Sequence, residues 1–148
     1  MNPILKKLGY KGQSLVLLLG APESFAAVAQ AFETPPEVIP NKKYTFILAF
    51  AKDQQALNEL TTGITTLLEG DGHLWLAYPK KTSRAYKSDL SREVVGACLG
   101  GQDFEPVTQI AIDEDWSALR FRHVGNIKTM TRSFAATQEG QRRTKKPD

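Results

Sequence analysis

Three short apolar runs constrain this chain more than any other feature. From Ser14 to Leu19 it reads SLVLLL and stops at Gly20, and from Tyr44 to Ala51 it reads YTFILAFA. From His73 to Tyr78 it reads HLWLAY and is stopped by Pro79. Apolar runs of this length that do not alternate suit strands buried on both faces, the condition of a parallel sheet covered by helices.

The segments between these runs have helical spacing. Pro22 fits the first turn of a helix, where its missing N–H does no harm, and Phe25, Val28, Ala29 and Phe32 then fall on one side. Asp53 is a cap for a helix whose inward face reads Ala56, Leu57, Leu60, Ile64, Leu67 and Leu68. Glu69-Gly70-Asp71-Gly72 is expected to end that helix and turn into the third strand. A third helix is expected from about Asp89 to Leu99, with Gly100-Gly101 as its stop. The proline-rich stretch Thr34 to Asn41 leaves room only for a short edge strand at Glu37 to Ile39. Val107 to Ile112 and Trp116 to Val124, joined by Asp113-Glu114-Asp115, predict an antiparallel hairpin. The expected class is therefore α/β: a Rossmann-like three-layer sandwich with a mostly parallel sheet and a C-terminal antiparallel hairpin.

At 148 residues the chain reads as one domain, able to bury about two-thirds of its unfolded surface. The net charge of +3 invites a nucleic-acid reading, but its placement argues against one. Residues 128–148 hold six basic and two acidic residues, a balance of +4, which leaves residues 1–127 at −1. A single α/β domain is expected over residues 1–124, with residues 125–148 as a basic, mobile tail that binds nucleic acid weakly at most. The start MNPILKKLGY lacks the apolar core and small-residue site of a secretion leader. No apolar run approaches the roughly 20 residues of a membrane span, so a cytoplasmic protein is expected. Cys98, the single cysteine, excludes an internal disulfide and a cysteine zinc site, and reads as a small buried hydrophobe.

A basic loop follows the third run. Open α/β sheets bind ligands at the carboxyl ends of their strands, and this loop leaves that edge. Lys80, Lys81, Thr82, Ser83 and Arg84 offer ammonium, hydroxyl and guanidinium donors in five consecutive positions, and Lys52 ends the neighbouring strand. Together they are a candidate site for an anionic small molecule, the alternative being a solvated loop. Trp116, beside the acidic turn, is a candidate wall of a cleft or of a protein-partner surface. Trp75 alternates with Leu74 and Leu76 and reads as core.

No catalytic group stands out. His73 and His123 have no evident serine or cysteine partner, and two distant histidines match no metal-ligand spacing, so neither a catalytic triad nor a metal is expected. The turn Gly20-Ala21-Pro22-Glu23-Ser24 has one glycine and a proline where a dinucleotide or S-adenosylmethionine site would be glycine-rich. The segment Ile39-Pro40-Asn41 lacks the acid that would hold a ribose, and no cofactor is expected.

The stretches KKLGYKGQSLVLLLGAPESF, HLWLAYPKKTSRAYKSDLSRE and AIDEDWSALRFR resemble a family of small bacterial proteins catalogued as a domain of unknown function. The resemblance covers most of residues 5–124 and rests on the Pro-Lys-Lys-Thr-Ser, Asp-Leu and Trp-Ser-Ala-Leu elements in combination. It implies kinship without an activity. The element order also resembles a shortened class I methyltransferase, with Lys-Gly before the first strand, Gly-His-Leu-Trp-Leu after a long helix, and the terminal hairpin. What departs is what holds the methyl donor. The leading expectation is a non-enzymatic module that binds an anionic ligand or a protein through the basic edge. The alternative is a diverged methyltransferase-like or group-transfer enzyme on the same edge.

Overall fold

A computed structural model describes residues 1–127 of the chain. Five strands, β1 (Val16–Leu19), β2 (Tyr44–Phe50), β3 (Leu68–Pro79), β4 (Phe104–Ala111) and β5 (Trp116–His123), form one sheet in the order β1-β2-β3-β5-β4. β1, β2 and β3 run parallel, with Leu18, Leu48 and Trp75 side by side. β5 lies antiparallel between β3 and β4. The expectation of a mostly parallel sheet is therefore met only in half the pairings. The short turn at Asp113 to Asp115 lets β5 fold back inside β4 and pair from Trp116 to Phe121 with β3.

Both faces of the sheet are covered, which gives the three layers. One face carries Leu17, Ile47, Leu76 and Leu119 under α3 (Gln54–Thr61) and α4 (Arg92–Ala97), through Leu57 and Val95. The other carries Val16, Phe46, Trp75 and Ala118 under α1 (Pro3–Lys7), the short α2 (Ala26–Ala29) and Phe25 and Phe32 beside it. The period-two alternation of each strand feeds two separate cores, which is why the runs look uniformly apolar in sequence.

Local chemistry moved several boundaries. α1 is not anticipated from the sequence. Asn2 caps it by accepting from Ile4 N and Leu5 N, and Pro3 opens its first turn. Trp75 locks it to the sheet, its indole N–H donating to Leu8 O at 2.9 Å. The stretch Glu37 to Ile39 forms no strand. A single bond from Glu37 N to Val16 O runs along β1, since Pro35, Pro36 and Pro40 have no N–H to extend the ladder. Glu69 to Gly72 is not a turn into β3 but a bulge within it, between the pairs Tyr44–Leu68 and Phe46–His73. Gly72 permits the pinch, because a Cβ there would stand 2.8 Å from Thr45 O. α4 starts after Ser91, whose Oγ accepts from Val94 N, rather than at Asp89. Asp89 instead caps α3, accepting from Gln54 N at 2.9 Å, while Asp53 accepts from Ala56 N.

Past β5 the chain continues through a 3₁₀ turn at Val124–Asn126 to Ile127, which is buried. The expected tail from residue 128 onward lies outside the described residues. Among the described residues, no helix is long and apolar enough to cross a membrane.

Candidate functional site

The carboxyl ends of β1 and β2 open onto a cavity of about 360 Å³. Gly20 ends β1 with φ +66°, and a Cβ there would lie 2.8 Å from Phe50 O, so the first strand can turn against the second only with glycine. Pro22 continues that wall, and Phe50 and Lys52 supply the end of β2. Ala56, in the first turn of α3, forms part of the opposite side. Tyr86, from the loop after β3, and Trp116, from the start of β5, complete the lining.

Trp116 organises the aromatic side. Phe50 and Tyr86 meet it edge-to-face at centroid distances of 5.1 and 4.9 Å. It is only 3% exposed, yet its indole N–H has no hydrogen-bond partner among the described residues. A buried donor left unpaired costs on the order of 1–3 kcal/mol, so it is the feature of this wall that packing alone does not account for. The expectation of Trp116 as a partner surface is corrected by its burial: it is a cavity wall.

The basic loop is built around Ser83. Its hydroxyl donates to Asp115 Oδ1 at 2.7 Å and accepts from Tyr86 N at 3.1 Å. Both roles of the hydroxyl are thereby spent on positioning Tyr86. Lys80 joins the hairpin turn through its backbone, donating to Asp115 O at 2.8 Å, and Lys81 is exposed. Ser88 ties the far end of the loop to the Lys52 carbonyl. Thr82 and Arg84 line a second cavity of about 400 Å³, whose remaining lining includes Glu114 and Asp115. The six residues expected to converge are therefore divided. Lys52 stands in the first cavity, Thr82 and Arg84 in the second, and Ser83 within the scaffold between them. The reason is the acidic turn, which draws the loop toward the hairpin. Asp113 is itself spent there, accepting from Asp115 N and Trp116 N.

Gly20, Pro22, Phe50, Ala56 and Tyr86 are not among the site residues expected from the sequence. Tyr86 carried the available signal, an aromatic residue in a loop otherwise polar and charged.

The remaining candidates lie elsewhere. His73 is at the amino end of the sheet, stacked on Phe46. Burial, then the nearby Arg120, push its pKa down to about 4, with Asp71 pulling weakly the other way. His123 accepts from Gly125 N. Cys98 is partly buried, and burial pushes its thiol up to about 12, which leaves it protonated. No cluster suited to a metal exists among the described residues.

A methyl-donor site of the ordinary kind does not fit these residues. A doubly wound sheet holds its nucleotide where strand order reverses, with strands on both sides of the first. Here β1 is the sheet edge. Among the described residues no strand beyond it delivers an acid to a ribose, and Pro22 removes a backbone donor from the turn. The acids of the segment that follows α2 lie toward the amino end of β1: Glu33 beside Gly12, and Glu37 bonded to Val16 through its backbone.

No known protein family matches the sequence, and no curated protein matches it. Solved structures do match by shape. The N-methyltransferase NodS from Bradyrhizobium japonicum WM9 is similar at TM-score 0.51 and 15% identity over 82% of this chain and 97% of that one. Its complex with S-adenosyl-L-homocysteine gives TM-score 0.50 at 14% identity, covering 82% and 88%. The ribosomal protein L11 methylase from Lactobacillus delbrueckii subsp. bulgaricus gives TM-score 0.50 at 14% identity, covering 81% and 74%. These likenesses overturn the leading expectation of a non-enzymatic module and the expectation that the chain is not an enzyme, and leave the methyltransferase-like alternative as the reading to pursue. What they establish for this chain is its fold: a Rossmann-like, methyltransferase-like α/β scaffold.

Proposed function

We propose that this protein is a diverged methyltransferase-like, group-transfer enzyme whose substrate site is the cavity at the carboxyl ends of β1 and β2. The observation that carries the reading is the lining of that cavity, where Lys52 meets the aromatic side chains of Phe50, Tyr86 and Trp116. A hydrophobic floor with a few convergent polar groups is the ordinary make-up of a small-molecule site. The cavity also lies on the sheet edge where folds of this kind place their ligands. Thr82 and Arg84 supply a second polar surface next to it, while Lys80 and Lys81 are peripheral. S-adenosylmethionine is not assigned to the site, for the reasons of donor and topology given above.

The test is turnover of a small-molecule pool by the purified protein, read by mass spectrometry against the Ala56→Phe variant. That substitution fills the cavity from the first turn of α3. The reading expects masses that appear and disappear with the native protein only. Absence of any change with well-folded native protein, or equal change with the variant, contradicts it.

A further inference from the structure

We propose that the cavity between Lys52 and Trp116 binds a planar aromatic carboxylate of one or two rings. The assignment deepens the enzyme reading by naming its substrate class, and it rests on that reading in taking this cavity as the site.

Charge limits the ligand first. Lys52 is the one charged side chain among the described residues lining the cavity, and it makes no ion pair or hydrogen bond through its side chain with them. A single ammonium matches a single negative charge. A phosphate dianion calls for an arginine fork or a nest of backbone N–H groups, and Pro22 interrupts the turn that would supply the nest. A carboxylate is therefore the better complement.

Shape and polarity limit the rest. Phe50, Tyr86 and Trp116 present aromatic surface along one side, and Pro22 and Ala56 add apolar surface. The volume of about 360 Å³ accommodates one or two fused rings. The same molecule thus meets the cation and the aromatic wall. Ser83, by fixing Tyr86 N, is a positioning residue for that wall.

The experiment is calorimetric titration of the full chain with benzoate and 2-naphthoate, against acetate, cyclohexanecarboxylate, benzyl alcohol and adenosine monophosphate at fixed ionic strength. The aromatic acids are expected to bind and the others to bind far more weakly. Lys52→Met should weaken aromatic-acid binding by about tenfold or more, the scale of a charge-assisted hydrogen bond. Trp116→Leu should weaken it by about threefold to tenfold, the scale of a lost aromatic contact. Lys52 is exposed, so its variant tests the site even if the tryptophan variant folds poorly. Equal response to acetate or cyclohexanecarboxylate, preferential binding of adenosine monophosphate, or an unchanged affinity in Lys52→Met overturns the assignment. Turnover of the metabolite pool without aromatic-acid binding would remove this substrate class and leave the enzyme reading standing. Aromatic-acid binding through Lys52 without turnover would uphold the site and remove the enzyme reading.

Discussion

At the scale of single residues, the sequence and the structure part company over what a polar side chain is for. Ser83 looks like a ligand donor in the run Lys80 to Arg84, but its hydroxyl holds Asp115 and Tyr86 together. Ser83→Ala should cost about 1 kcal/mol, a typical net hydrogen bond, and a thermal melt should show it as a drop of a few degrees. His73 carries the clearest pH signature. Its folded pKa of about 4 lies below the ordinary histidine value of 6.5, so the unfolded chain binds more protons in that interval. Stability contributed by neutral His73 is complete above about pH 6.5 and is lost as pH falls toward the folded value. His73→Gln should flatten the acid limb of the melting profile between pH 6.5 and 4. An NMR titration placing the His73 midpoint near 6.5 would contradict this. The exposed Asp71–Arg122 pair, by contrast, should contribute no more than about 1 kcal/mol when Asp71→Asn is measured in the same assay.

At the scale of elements, the apolar runs locate β1, β2 and the carboxyl-terminal half of β3 because burial on both faces forces nearly every position to be apolar. The hairpin is equally legible, since β5 pairs on both sides and the acidic turn interrupts it. What the pattern does not disclose is spatial order: β5 enters the sheet beside β3 rather than at the edge, and no local signal distinguishes the two. α1 escapes notice because it is too short for a periodic pattern, although the Asn2-Pro3 start is a capping signal. Its contribution should be large for its length. Leu5 and Leu8 are both 0% exposed, and each buried leucine stabilises by roughly 1.5–3 kcal/mol. Deleting residues 1–8 also strips the Trp75 indole of its acceptor. Chemical denaturation should therefore show a loss of several kcal/mol, and a loss below about 1 kcal/mol would mean that α1 is not part of the core. The basic loop should behave in the opposite way. Lys80→Gln with Lys81→Gln should leave the melting midpoint within about 0.5 kcal/mol of native, because neither side chain has a packed role.

At the scale of the whole molecule, the sheet is a methyltransferase-like scaffold that ends at β1, and this determines where a ligand can be held. The sequence already offers Lys52 and Trp116 as candidates, but Phe50 reads as ordinary core and Tyr86 as part of a charged loop. They meet Trp116 only because β2, the loop after β3 and β5 converge, a relation of tertiary structure with no trace in local spacing. With no strand beyond β1 and Pro22 in the turn, S-adenosylmethionine is expected to show no low-micromolar binding by calorimetry. The central claim is that the ligand is held at Trp116, and the two indole N–H signals of the protein test it most directly. In a ¹H–¹⁵N titration with benzoate, the Trp116 signal should move and saturate, because its ring lines the cavity and senses the aromatic ligand. The Trp75 signal should stay in place, since its N–H is already bonded to Leu8 O. A Trp116 signal that does not move, or two indole signals that move together, would contradict the account.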